Sequence, residues 1–193
     1  MVKITGPDLV AQFLEKRKDP QKKGGLFRVN MKAPVRCFEL KSGYMEIIDG
    51  AKRELCILMA CFAPDKEVLS GIKRAIQRGV SVRILIPKNA IFNDNMNRLT
   101  VSRLLRFSGP QEGGCRGRMG IYMTESMLHA KQLMNEHRVI TGSCNINRES
   151  FTQLDELAVA VDNDDSPFAA EIRSSLEEAF RKAECVSARD RIR

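Results

Sequence analysis

The sequence predicts an α/β fold, a mixed and mostly parallel central sheet flanked by helices. Two apolar runs and the segment between them carry that expectation. ELCILMACF (54–62) is almost continuously apolar yet too short for a core helix, as in a strand buried on both faces. DKEVLSGIKRAIQRG then repeats Val68, Ile72 and Ile76 every fourth residue, with Asp65 placed to cap the helix and Gly79 to stop it. SVRILIP (81–87) is the next strand. Strand, helix and strand joined by short connections make a parallel pair with a crossover helix.

The remaining elements follow in order. A strand-like start leads into a short helix over 7–18, and the polar stretch KRKDPQKKGG, which overlaps its end, reads as a linker or loop. Residues 44–53 suit a helix with Met45, Ile48 and Ala51 on one side. A second helix covers 94–107, and SGPQEGGCRGR is a glycine-rich surface loop. Three apolar segments follow, MGIYMT, HAKQLM and RVITG, then a short helical segment and the strand ELAVAVD (156–162). Ser166 caps a final amphipathic helix to about Ala183, and SARDRIR is a basic, frayed tail. The expected organisation is an N-terminal segment and linker (1–41), one domain (42–185) and the tail (186–193).

The chain has 193 residues and a formal net charge of +8, which favours polyanionic partners: nucleic acid, anionic lipid or phosphorylated substrates. None of the six cysteines forms a Cys-x-x-Cys pair, so zinc-ribbon and thioredoxin readings have no support. Cys56 and Cys61 read as core residues, and free thiols in a reducing, intracellular setting are expected. The run 55–63 is far shorter than a membrane span, so membrane contact is expected to be peripheral.

Both histidines lie in HAKQLMNEHRVITGSCNIN (129–147). Alternation along a strand puts His129 and Lys131 on one face. Two such groups side by side suit an anion between them, phosphate above all. Gly142 permits a tight turn or a close backbone approach, and Ser143 and Asn145 add hydrogen-bonding groups. Taken alone, a His and a Lys on a strand also fit a solvated edge. The full spacing is far more specific.

That spacing resembles the HKD motif of the phospholipase D superfamily, His-x-Lys-x4-Asp-x6-Gly-Ser-x-Asn. NINRESF…DELAVAV continues the likeness, and MEIIDGAKRELCILMACFAPD with GIKRAIQRGVSVRILIP resembles the start of the same module, most like the second half of cardiolipin synthases. There are three departures. The acid is Glu136, and it stands one residue too close to Gly-Ser, so that counting back from Gly142 reaches Asn135 instead. Leu154, beside Asp155, stands where the family has an Asn.

The resemblance implies a phosphodiesterase or phosphatidyltransferase acting on phospholipid through a phosphohistidine, with no metal or cofactor. It assigns catalysis to His129, Lys131, Glu136 and Glu156, and phosphate binding to Ser143 and Asn145. Glu136 reads rather as a supporting residue. Glu156 matches the acid that orients the nucleophilic imidazole. His137 lies outside any second HKD spacing, so the resemblance implies a homodimer or pairing with a second module. VKITGPDLVAQFLEKR resembles the end of a preceding module. A nuclease of the same superfamily, or an inactive remnant that binds lipid or a partner, are the alternatives. Met119, Met123, Met127 and Met134 are candidates for an apolar rim or, equally, core filler.

Overall fold

The computed structural model describes residues 6–22, 24–33, 36–89, 94–105, 119–163 and 166–186. The glycine-rich loop, the basic tail and the strand-like start lie outside them. Its strands are β1 (Phe27–Met31), β2 (Cys37–Phe38), β3 (Glu54–Met59), β4 (Ser81–Pro87), β5 (Met119–Thr124), β6 (Lys131–Asn135), β7 (Arg138–Gly142), β8 (Glu156–Asp162) and β9 (Glu184–Val186). They form one sheet in the order β2-β1-β8-β7-β6-β3-β4-β5-β9. The helices are α1 (Pro7–Lys18), α2 (Leu40–Gly50), α3 (Lys66–Gln77), α4 (Asp94–Leu105), α5 (Arg148–Thr152) and α6 (Pro167–Arg181).

Side-chain alternation along β3 explains the layering. Leu55, Ile57 and Met59 point to a core shared with Ile48 of α2, Ile72 of α3 and Leu104 of α4. Cys56 and Leu58 point the other way, to Ile172, Leu176 and Phe180 of α6. Those three α6 residues recur every fourth position and close the second face; each contributes about 1.5–3 kcal/mol by burial. Asp65 caps α3 as expected, accepting from the amides of Glu67 and Val68, and Ser166 caps α6 through the amide of Ala169. Burial pushes the Cys56 thiol up to about 11, as suits a core cysteine.

The sheet is mixed, as expected, but it is not mostly parallel. Only β3–β4 and β4–β5 run parallel, while every other named pairing is antiparallel. Parallel pairing needs a long crossover, which α3 and the segment with α4 provide. The connections from β6 to β8 carry no helix longer than α5, and these strands turn back on themselves.

Residues 27–31, within the segment read as linker, form β1 and pair with β8 from Phe27↔Val159 to Asn30↔Glu156. The polar stretch before it is anchored as well. Lys16 is buried, with its amine 2.7 Å from Glu39 and 2.8 Å from the Lys22 carbonyl. Helix α2 starts and stops earlier than the periodicity suggests. Its last carbonyls are satisfied by Arg78, whose guanidinium donates to Ile48, Asp49 and Ala51 at 3.1–3.2 Å.

Strands β7 and β8 leave no room for a side chain at Gly142, opposite Ala158. A Cβ there would lie 2.6 Å from the Ala158 Cα and closer still to the Leu157 carbonyl oxygen. The expected close backbone approach is therefore what this glycine serves. Gly142→Ala is expected to force the strands apart and cost about 1–3 kcal/mol or more. A fall in the urea midpoint at unchanged slope checks this.

Candidate active site

Antiparallel pairing collects several chain segments at one end of the sheet. β6 starts there opposite the end of β3, with Lys131 against Met59. β7 ends there opposite the start of β8, with Gly142 against Ala158. Leu128 and Ala130 pack on the α6 side, so alternation turns His129 and Lys131 to the opposite face. His129 is exposed and Lys131 is buried, only 5% accessible.

The Lys131 amine donates to the His129 carbonyl at 2.9 Å, its only hydrogen bond among the described residues. Burial lowers its pKa, partly offset by Glu156 and Cys61 nearby. An ammonium has three donors, so two remain. A desolvated cation with unspent donors favours an anion.

The Ser143 hydroxyl is hydrogen-bonded to the Glu156 carboxylate and accepts from the Leu157 amide at 3.1 Å. Glu156 is thereby held on Ser143; among the described residues it makes no hydrogen bond to His129. Asn145 Oδ1 accepts from the Cys61 amide at 3.1 Å, which leaves its Nδ2 as a donor. The turn carrying these groups is fixed from below. Tyr44 of α2 donates to the Cys144 carbonyl at 2.8 Å, and Asn147 caps α5 by accepting from the Ser150 amide at 2.8 Å. Burial keeps the Tyr44 phenol far above its ordinary pKa, and so a donor. The sequence pattern places position 44 only at the start of a helix, off the stripe of Met45, Ile48 and Ala51.

Glu136 does not join this group. It sits at the opposite end of β6, and its carboxylate accepts from the amides of Lys52 (2.7 Å), Arg53 (3.4 Å) and Glu54 (3.3 Å). Burial alone would raise its pKa; amides, its own among them, outweigh that and hold it below 4.5. Its carboxylate thus lies on the α2–β3 turn, away from Lys131, Ser143 and Asn145, in keeping with the supporting role read beside its catalytic motif position. Asn135, the other count's answer, is buried. It accepts from the amides of His137 and Arg138 at 2.8 Å and donates to the Ile47 carbonyl at 2.8 Å. His137 is at this far end too, 3.4 Å from Glu136.

Leu154 is exposed, while Asp155 accepts from the Lys32 amide at 2.8 Å and so ties β1 to the start of β8. Of the four methionines, Met123 and Met134 are buried and Met119 packs on the core. Only Met127, 77% exposed, stands free at the site end. Among the described residues no helix is long and apolar enough to cross a membrane.

Two outcomes test these roles. Lys131→Met removes a buried charge and is expected to raise Tm at neutral pH, by roughly 2–4 °C per kcal/mol recovered. Because the folded pKa of Lys131 lies below 10.5, the unfolded chain binds more protons between the two values. Wild-type stability should therefore rise through that window toward the variant's, as thermal melts at stepped alkaline pH would record. Glu136→Gln is expected to cost about 1–3 kcal/mol. The folded pKa of Glu136 is depressed, so its contribution is full above 4.5 and lost as pH falls through the folded value. Acid titration of both proteins should show the wild-type advantage vanish there.

A family model described as "Cardiolipin synthase, PLD-like domain" matches residues 44–182. Cardiolipin synthase A of Pseudomonas putida is 30% identical over 148 residues, which cover 76% of this chain and 29% of that protein. The chain thus spans under a third of that relative's length. Among solved structures, phosphatidylserine synthase of Haemophilus influenzae superposes with a TM-score of 0.69 at 11% identity, covering 96% of this chain and 48% of that one. Nuc, a phospholipase D family member from Salmonella typhimurium, gives 0.66 at 16% identity, covering 84% and 98%. At these identities the structural likeness is one of fold. The family match spans most of the chain and includes the whole segment 129–147, and the chain belongs to the phospholipase D superfamily, in the family of cardiolipin synthase PLD-like domains.

Proposed function

We propose that this chain carries one HKD module of a phosphodiesterase or phosphatidyltransferase acting on phospholipid. The observation that carries the reading is the buried Lys131 amine with two donors unspent among the described residues, next to an exposed His129. In this reading a nitrogen of His129 attacks phosphorus and a phosphorus–nitrogen bond forms. The bond to the leaving oxygen breaks, and a second imidazole protonates that oxygen. Water or an alcohol then attacks the phosphohistidine, giving its proton back to that imidazole and returning His129. Lys131 and the Asn145 Nδ2 meet the phosphoryl oxygens as charge shifts onto them. Ser143 and Glu156 form a hydrogen-bonded pair beside them, from which the carboxylate reaches the imidazole once substrate is bound.

The second imidazole comes from another module, in a symmetric pair or in a companion module, since His137 lies at the far end of β6. The stretch VKITGPDLVAQFLEKR, which resembles the end of a preceding module, accords with the second arrangement. The kinship with cardiolipin synthases and the exposed Met127 at the site end favour lipid over nucleic acid.

His129→Ala is expected to reduce turnover to background with Tm retained. Acid-stable phosphate should be absent, and alkali-stable phosphohistidine should be trapped on the wild type alone, as mass spectrometry would show. Specific activity should rise with protein concentration as modules pair. Phosphatidylglycerol should be cleaved faster than single-stranded DNA at equal ionic strength. Faster DNA cleavage, lost in the variant, would move the chain to the nuclease branch.

A further inference from the structure

We infer that Asn97 of α4 is a positioning residue for the phosphoryl-binding amide of Asn145, acting through the backbone that follows β3. This rests on the site reading above and adds a residue outside the motif.

Residues 60–63 leave β3 at the site end, and each successive amide is taken by a different acceptor. Ala60 donates to the Ala130 carbonyl at 3.0 Å, between His129 and Lys131. Cys61 donates to Asn145 Oδ1 at 3.1 Å, Phe62 to Asn97 Oδ1 at 2.8 Å, and Ala63 to the Ile146 carbonyl at 2.8 Å. The strip is thereby laced between the His129–Lys131 segment and the Ser143–Asn147 turn. The other acceptors belong to those two segments. Asn97 is the one that comes from elsewhere.

Asn97 also holds the strip from its other side, since its Nδ2 donates to the Ala60 carbonyl at 3.3 Å. The two bonds bracket Cys61 and fix the direction of its amide. That amide in turn fixes the Asn145 side chain: with Oδ1 engaged by Cys61, Nδ2 is the end left to donate.

Asn97 is an odd choice for packing alone. It is fully buried and shares a helical stripe with Val101 and Leu104, spaced four and seven residues on and equally buried. An apolar residue would complete that stripe at lower desolvation cost. Both polar ends of Asn97 go to the strip, not to α4.

The test is a double-mutant cycle with Asn97→Leu and Asn145→Ala, read as inorganic phosphate affinity and as kcat/KM, with Tm followed in parallel. Asn97→Leu is expected to weaken phosphate and lower kcat/KM by about tenfold or more, in keeping with the cost of small misplacements. In the Asn145→Ala background it should add less than about twofold, because the group it positions is gone. Full, multiplicative losses in that background, or no loss in the single variant, overturn the inference. Should Asn97→Leu not fold, Asn97→Asp keeps the acceptor for Phe62 and loses the donor to Ala60, and it enters the same cycle. If the wild type neither binds phosphate nor turns over any phosphodiester, the proposed function fails separately. NMR then decides: the inference stands if the Asn97 variant shifts or broadens the Asn145 side-chain amide pair, and falls if that pair stays put.

Discussion

The Lys131 ammonium, buried where β6 begins and in contact with no carboxylate among the described residues, is the constraint on which the site depends. Taking a cation out of water is costly unless something compensates it. Here the compensation is partial: one carbonyl and the field of Glu156. The Glu156 carboxylate is engaged by the Ser143 hydroxyl, and it does not close onto the amine as an ion pair. A direct pair would satisfy both charges and leave no site for an anion. Holding them apart keeps a positive field at the sheet end, and the folded core bears the cost.

That division runs along a single short strand. At its start, β6 presents the Lys131 amine, with two of its three donors unspent among the described residues. At its end, roughly 13 Å away at about 3.3 Å per residue, the polar side chains of Asn135 and Glu136 are all engaged. Asn135 uses both ends of its amide, and Glu136 gathers the amides that lead into β3. The satisfied end secures α2 and the β6–β7 hairpin, and this rigid frame carries the unsatisfied end. Reactive geometry with unmet hydrogen bonds needs such a frame, because its own interactions do not define it.

Much of this was legible in the sequence. The apolar runs of β3 and β4, the α3 cap at Asp65 and the two-residue alternation of His129 and Lys131 are local signals with one physical cause each. Gly142 was legible too, as a place where two backbones meet. Strand direction was not, because β6, β7 and β8 look like any apolar segment until their short connections are seen to lack a crossover helix. β1 hid behind the polar stretch before it; its burial comes from pairing with β8, over a hundred residues away, which no local pattern reports. Asn97 gave no signal, since one asparagine in a helix has no periodicity, and its role exists only where α4 passes the end of β3.

The shortened spacing between the acid and Gly-Ser shows how a departure from a motif is absorbed. Removing one residue within a strand would turn every later side chain to the opposite face. Removing it at a turn does not. Met134 pairs with Val139, so the chain reverses through Glu136 and His137, with Asn135 accepting from the two amides that follow. Gln132 still faces Thr141, and Gly142 still meets Ala158. One motif position is then served by two residues. Counting from Lys131 reaches Glu136, which holds the turn before β3; counting from Gly142 reaches Asn135, which holds the hairpin and α2. Both counts find an acceptor that stabilises the far end, and neither disturbs the end that carries Lys131, Ser143 and Asn145.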